Sequence, residues 1–246
     1  MSTGSIERID HLTRNLTHGD IVRRNVIAAA LERVQRDLEF LAITCEEYLQ
    51  IAEVYVTTAR RRIDERKASP PGPRELTPEE SADFEEQLRI GRILHLRIET
   101  FYFFAQRLLD HLVFAADVVL GPARITIGRH RLLRQNLEKL VADGGAPEPP
   151  AGSWPLLDEL TQRVKDFRDD FVAHTHNQRV MKSTVVHLEE GVPRIHLGIM
   201  FPREGEALDV TSEPLDVLLP LIDQWASIWM DYLEPILVSD VSAPEA

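Results

Sequence analysis

Apolar residues recur every three or four positions over residues 20–66, the periodicity of a single buried face on an α-helix. No proline or glycine interrupts this segment. With a rise of about 1.5 Å per residue, such a helix approaches about 70 Å in length. We therefore expect it to kink, to extend beyond its bundle or to pair with another chain. The apolar positions are Ile27, Leu31, Val34, Leu38, Leu41, Cys45, Tyr48, Ala52, Tyr55 and Ala59.

Residues 68–78, ASPPGPRELTP, predict a linker because four prolines and a glycine cannot continue a helix. Thr77 and Glu80 then match a capping box, in which each residue satisfies a free backbone N–H of the other. The helix that follows is predicted to run to about Leu120. Its apolar positions cover much of its circumference, which is typical of a central helix. They include Leu94, Ile98, Phe101, Tyr102, Phe104, Ala105, Leu108, Leu109, Leu112, Val113, Ala115 and Val119.

Four shorter elements are predicted in the second half of the chain. A helix is expected at about 128–142, and another begins at Ser153 with an apolar stripe whose next position after Phe171 is His174. The spacing of apolar residues then changes, and the segments TVVHLEE and RIHLGIMF predict a β-hairpin at 183–201. A last amphipathic helix follows at about 215–236.

These elements predict a mainly all-α fold, an antiparallel bundle of four to five long helices with a small β-hairpin inserted before the last helix. The predicted organisation is a long N-terminal helix at 1–67, the Pro-rich linker at 68–78, a helical bundle at 79–238 and a frayed tail at 239–246.

Composition narrows the range of functions. The chain has 246 residues and a formal charge of −12, so most of its surface should repel nucleic acid, and an RNA site must be a local exception. The longest apolar runs, such as FYFFA, are far short of the roughly 20 residues that cross a membrane. The N-terminal residues lack the pattern of a secretory signal. We therefore expect a cytoplasmic protein without a membrane partner.

The cysteine count and the absence of metal-ligand motifs argue against disulfide-linked and metal-binding classes of protein. The single cysteine, Cys45, cannot form a disulfide within one chain, and its place on an apolar stripe predicts a buried thiol. Paired Glu-x-x-His motifs, CxxC, HExxH and Gly-rich phosphate loops are all absent from the sequence. We therefore expect neither a metal site nor a cofactor.

One segment, VKDFRDDFVAHTHNQ at 164–178, carries the candidate chemistry, because Arg168 and His174 can together cleave a phosphodiester without a metal. Spacing alone is weak evidence, because random placement of arginines and histidines gives roughly two or three similar matches in such a chain. Context distinguishes this match: its arginine is followed by two aspartates and its histidine precedes a polar loop. Between 162 and 182 lie five basic and three acidic residues, a local excess of positive charge in an acidic chain.

The segment FRDDFVAHTH resembles the R-[polar]-x3–5-H motif of the HEPN superfamily. The aromatic-rich segment RIETFYFFAQRLLDHL is also similar to abortive-infection-type relatives. This resemblance implies a helical bundle that acts as a metal-independent endoribonuclease in toxin–antitoxin, abortive-infection or other defence systems.

The resemblance also implies roles for individual residues. His174 would act as general base on the ribose 2′-hydroxyl or as general acid on the leaving oxygen, and Arg168 would stabilise the charge of the phosphorane. Asp169 would orient Arg168 or a water, and Asp170 would hold the imidazole. His176 is the further supporting residue, and the expected RNA contacts are Lys165, Arg179 and Lys182.

Helix geometry bears on the oligomeric state. A separation of six residues along one helix places Arg168 and His174 about 120° apart around the helix axis. The two side chains therefore do not converge within one chain. In the family, the sites of two protomers meet across a dimer. We therefore expect a homodimer, with RNA as the substrate and an antitoxin or regulatory protein as a further partner.

A second interpretation gives both residues structural roles. His174 continues an apolar stripe and suits the C-terminal end of a helix dipole, while Arg168 can pair with a carboxylate on a solvated face. The chain would then be a non-catalytic helical module that binds a protein partner.

Overall fold

The structure, a computed structural model, describes residues 4–16, 21–68, 75–120, 130–168, 181–189, 192–200, 210–211 and 214–239. Most of these residues are helical, which confirms the mainly α-helical fold class. The predicted number of helices was too low, because the described residues contain six. These are α1 (Gly4–Arg14), α2 (Ile21–Ala68), α3 (Pro78–Val119), α4 (His130–Ala142), α5 (Ser153–Arg168) and α6 (Leu215–Ser239).

Helix α1 is the one that the apolar pattern missed. It spans 11 residues and buries only Ser5, Ile9 and Leu12, too few positions to stand out as a periodicity. Long-range contacts hold it instead. The Ser5 hydroxyl donates to the Asp223 backbone carbonyl at 3.1 Å, and the Arg8 guanidinium forms ion pairs with carboxylates of α6, those of Asp231 and Glu234.

Two nine-residue strands, β1 (Met181–Glu189) and β2 (Val192–Met200), pair antiparallel with Met181 opposite Met200. A two-residue strand, β3 (Val210–Thr211), pairs with the other edge of β2. Residues 190–191, which would form the turn, lie outside the described residues, so the hairpin insertion stays a prediction. Ile195 of β2 is buried, and its carbonyl accepts a hydrogen bond of 2.6 Å from the Tyr48 hydroxyl.

The chain divides into two compact units. The domain limits that the sequence predicts, at 67, 78 and 238, stay predictions. Unit 1 contains Met1–Ala42, Tyr102–Asp166 and Leu218–Ala246, and unit 2 contains Ile43–Phe101 and Phe167–Val217.

In unit 1, the first part of α2 runs antiparallel to the last part of α3. Arg23 donates to the Val119 carbonyl at 3.3 Å near one end of this pair, and Arg107 binds Asp37 further along. Most of the buried side chains of this pair are aliphatic, and α6 adds a cluster of edge-to-face aromatic rings. The buried residues of this core include Ile27, Leu31, Val34, Leu38, Leu41, Leu108, Leu112, Val119, Trp225 and Trp229.

In unit 2, the second part of α2 also runs antiparallel to the first part of α3. Arg61 pairs with Asp83 at 2.7 Å and Arg97 with Glu47 at 3.1 Å. The predicted capping box at the start of α3 is confirmed. The Thr77 N–H donates to Glu80 Oε2 at 2.8 Å, and the Glu80 N–H donates to Thr77 Oγ1 at 3.2 Å. Among the residues that the structure describes, no helix combines the length and the apolar character that crossing a membrane requires.

The Cys45 thiol should resist alkylation in the folded protein. Cys45 is 1% exposed, and burial, with a further contribution from Asp216, raises the pKa of its thiol to about 11. At pH 8 the thiolate fraction is then about 100-fold lower than in an exposed thiol. Labelling with iodoacetamide, followed by mass spectrometry, should be at least that much slower before denaturation than after it. Equal labelling rates would show that the segment opens readily.

Candidate functional site

Helix α5 carries the first five residues, 164–168, of the segment that contains the predicted RNA-cleaving motif. The predicted stripe of this helix is confirmed as far as it is described, because Leu157, Leu160, Val164 and Phe167 are all buried. Packing of this stripe leaves Lys165, a predicted RNA contact, exposed to solvent. The helix ends at the motif arginine, Arg168, the last residue of α5.

Most of the predicted site lies outside the described residues. This applies to Asp169, Asp170, His174, His176 and Arg179. Of Arg168 and Lys182 the structure describes the backbone alone: Arg168 ends α5, and Lys182 lies in β1 opposite Ile199. The convergence of Arg168 and His174 therefore stays a prediction.

Within unit 1, the structure assembles a different arginine, histidine and carboxylate. We call Asp37 of α2 with Arg107 and His111 of α3 the Asp37 cluster. Asp37 Oδ1 accepts hydrogen bonds from Arg107 Nη2 and, at 2.9 Å, from Arg107 Nε. The second oxygen, Asp37 Oδ2, lies 2.6 Å from His111 Nδ1. Both carboxylate oxygens are thus bound by groups from the neighbouring helix.

Helix geometry explains why these three residues meet. Arg107 and His111 are four residues apart, which places them on one face of α3. Asp37 lies between Val34 and Leu41 on the apolar face of α2, and all three of these residues are fully buried. A buried carboxylate costs free energy unless charged groups and hydrogen bonds compensate it. Arg107 and His111 provide that compensation.

The hydrogen bond to Asp37 also fixes the chemistry of the imidazole. A carboxylate accepts a hydrogen bond from Nδ1–H, so in the neutral ring the lone pair lies on Nε2. The Asp37 side chain is 0% exposed, while the Arg107 and His111 side chains are 32% and 22% exposed. The cluster therefore has a carboxylate enclosed by the protein and two cation-forming groups that reach solvent. This arrangement is suited to general-base chemistry at the surface.

Aromatic rings surround Arg107. Its guanidinium carbon lies 4.4 Å from the centre of the Phe104 ring, 5.8 Å from Phe40 and 5.9 Å from Phe103. These distances are in the range of cation–π contacts, which hold the guanidinium in place. Two of the rings also reach solvent, because Phe103 is 54% exposed and Phe40 is 38% exposed.

The sequence contained two signals for this cluster. Arg107 and His111 have three intervening residues, fewer than the five that separate Arg168 from His174. Yet a separation of four residues places two side chains on one helix face, which a separation of six does not. The second signal is Asp37, a carboxylate on the apolar stripe of α2. A charge at such a position needs a partner from another element.

A shallow cleft lies elsewhere in unit 1. It has a volume of about 350 Å³, and the Arg33 guanidinium stacks over the Phe114 ring with 5.3 Å to its centre. Apolar side chains form most of its wall, and Val22 and Val26 are 67% and 44% exposed. Its lining residues are Val22, Asn25, Val26, Ala29, Arg33 and Phe114.

The described part of the chain contains no group of three or more His, Cys, Asp or Glu residues placed to hold a metal ion. Comparisons with protein-family models, with curated proteins and with solved structures found no match. The resemblance to the HEPN superfamily therefore rests on the sequence segment FRDDFVAHTH alone.

Proposed function

We propose that this chain is a HEPN-like, metal-independent endoribonuclease that works as a homodimer in the cytoplasm, in a toxin–antitoxin or phage-defence setting. The observation that carries this proposal is the segment FRDDFVAHTH in a locally basic part of an acidic chain. The structure contributes the helix that leads into it, with a buried apolar face and Lys165 exposed.

The proposed reaction is transesterification of RNA. His174 removes the proton of a ribose 2′-hydroxyl, the 2′-oxygen attacks the adjacent phosphorus, and the bond from phosphorus to the 5′-oxygen breaks. The leaving 5′-oxygen takes up a proton, which the imidazolium of His174 supplies. Arg168 stabilises the negative charge that develops on the phosphorane oxygens. The products are a 2′,3′-cyclic phosphate and a 5′-hydroxyl.

Cleavage of RNA in the presence of EDTA tests the proposed activity. The purified full-length chain should cut a labelled RNA oligonucleotide and leave 2′,3′-cyclic phosphate ends, which mass spectrometry identifies. DNA of the same sequence should resist, because it lacks the nucleophilic hydroxyl. A chain that cuts no RNA, or that cuts only after Mg²⁺ is added, would remove the nuclease assignment.

Single substitutions test the proposed residues. His174→Ala and Arg168→Ala should each lower the cleavage rate by about 100-fold or more, with little change in circular dichroism or melting temperature. The matched controls are His187→Ala in β1 and Arg163→Ala, whose guanidinium pairs with Glu159 at 2.7 Å on α5. Loss of folding in both test variants would support the structural interpretation of the motif.

The second candidate function is a non-catalytic module that binds a protein partner, such as an antitoxin or a regulatory protein. The apolar cleft supports it, because Val22 and Val26 expose apolar surface next to the Arg33 guanidinium. Such surface is typical of interaction sites. A chain without RNase activity that forms a stable complex with a protein partner, lost on Val26→Asp, would favour this function over the first.

A further inference from the structure

We propose that the apolar cleft of unit 1, formed by α2 and α3, is the docking site for an acidic amphipathic helix of a protein partner. This inference rests on the second candidate function, the protein-binding module, and adds the chemistry of the partner. It does not depend on RNA cleavage. Its basis is the spacing of the exposed side chains of α2, the volume of the cleft and the charge around it.

The exposed side chains on this side of α2 have the spacing of a seam between two helices. Four lining residues are exposed and are separated by four, three and four positions: Val22, Val26, Ala29 and Arg33. These intervals are those of the a and d positions of a heptad, at which one helix packs along another. The seam extends for about 16 Å, or three helical turns. A partner that matches it is a helix of at least this length.

The cleft has room for the apolar side chains of such a helix. Its volume is about 350 Å³, and Phe114 of α3 forms part of its wall. A groove between two antiparallel helices accepts a third helix whose apolar ridge fills it. Ala29 has only a methyl group, which lets the backbone of the partner approach closely. Apolar side chains on one face of the partner would then cover Val22, Val26 and Phe114, which are exposed in the free chain.

Charge determines which helix fits the cleft. Over residues 21–42, α2 carries four arginines and three carboxylates, and one of these carboxylates is already bound within the Asp37 cluster. Arg33 is exposed, and within the described part of the chain it stacks on Phe114 and pairs with no carboxylate. The cleft is thus locally positive in a chain whose formal charge is −12. A carboxylate beside the apolar residues of the partner would accept two hydrogen bonds from this guanidinium.

Two designed peptides of about 20 residues, long enough to form a helix, test the assignment with the full-length chain. Both carry leucine at the a and d positions of each heptad. One has glutamate at the flanking e and g positions, and the other has lysine there. In about 0.15 M salt, which screens distant charges, the glutamate peptide should bind, and the lysine peptide should bind at least about 10-fold more weakly. Isothermal titration calorimetry measures both dissociation constants.

Substitutions on α2 locate the binding site. Val26→Asp should weaken the binding of the glutamate peptide by about 10-fold or more, because it places a charge in the middle of the apolar contact. The matched control is Val54→Asp. Val54 is also exposed and lies on the same helix, but it does not line the cleft. This control should bind the peptide like the wild type.

Charge reversal separates specific recognition from general loss of binding. Arg33→Glu should exchange the preference, so that the lysine peptide binds more tightly than the glutamate peptide. The matched control is Arg92→Glu, at an exposed arginine of α3 outside the cleft, which should keep the wild-type preference. Equal affinity of the wild type for the two peptides, or no binding of the glutamate peptide, would overturn this inference. The second candidate function would still stand, because the cleft could bind a partner of different chemistry.

Other occupants of the cleft would give different results. With a second copy in the cleft, the wild type should sediment as a dimer and Val26→Asp as a monomer, without any peptide. With a membrane surface there, vesicles of phosphatidylglycerol should bind the wild type and not Val26→Asp. Either result would overturn the inference. A stable complex with a protein partner that Val26→Asp leaves intact would remove the cleft from the second candidate function, and this inference with it.

Discussion

Phe101→Ala should lower the free energy of unfolding by about 4 kcal/mol, whereas Phe103→Ala, two residues further along α3, should lower it by less than about 1 kcal/mol. The residue type and the helix are the same, and only the environment differs. Phe101 is 0% exposed, so its removal leaves a cavity in the core. Phe103 is 54% exposed, and its loss removes only surface contacts such as the ring contact with Phe104.

Urea denaturation followed by circular dichroism measures both values, with the slope of the transition as a check that the unfolded states are comparable. Similar costs for the two substitutions would show that the Phe101 side chain is not enclosed as the structure describes. A cost above about 3 kcal/mol for Phe103→Ala would instead show that a partner or another part of the chain covers this ring.

The apolar pattern identified the helices that bury a long stripe. On α2 it correctly selected Leu31, Leu41 and Tyr48, all of which are buried. Towards the end of the same helix it failed, because the predicted Tyr55 and Ala59 are only half-buried. Periodicity reports which face of a helix is apolar, but not how far along the helix a partner covers that face.

Helix α1 was missed for a different reason. Its recorded contacts join it to residues more than 200 positions away, such as the ion pair of Arg8 with Asp231. A short segment with three buried residues has no strong local signal. Contacts of this kind depend on the fold of the whole unit, so a local reading of the sequence does not reveal them.

The Asp37 cluster illustrates the same limit at the level of chemistry. Sequence spacing can show that Arg107 and His111 share a helix face, but not that α2 brings a carboxylate to that face. The sequence analysis instead predicted a site at Arg168 and His174, because these two residues lie in one contiguous segment that resembles a family motif. Side chains that converge from two helices leave no contiguous motif in the sequence. For these three residues, it is the structure that shows the buried Asp37 carboxylate in contact with Arg107 and His111.

Asp37→Ala should lower the free energy of unfolding by about 3 kcal/mol, because it leaves Arg107 and His111 without their shared carboxylate in a partly enclosed site. The matched control is Asp83→Ala. Asp83 also binds an arginine, Arg61 at 2.7 Å, but both side chains of that pair are at least half exposed. Exposed ion pairs contribute at most about 1 kcal/mol, so this control should have a small effect.

A double-mutant cycle between Asp37 and Arg107 isolates their interaction from other effects of the substitutions. We expect a coupling free energy above about 1 kcal/mol for this pair, and less than about 0.5 kcal/mol for Arg61 with Asp83. Urea denaturation of the four variants of each cycle provides the measurement. Equal coupling in the two cycles would mean that Asp37 is solvated like Asp83. In that case the Asp37 carboxylate would not be the enclosed charge, compensated by Arg107 and His111, that its burial indicates.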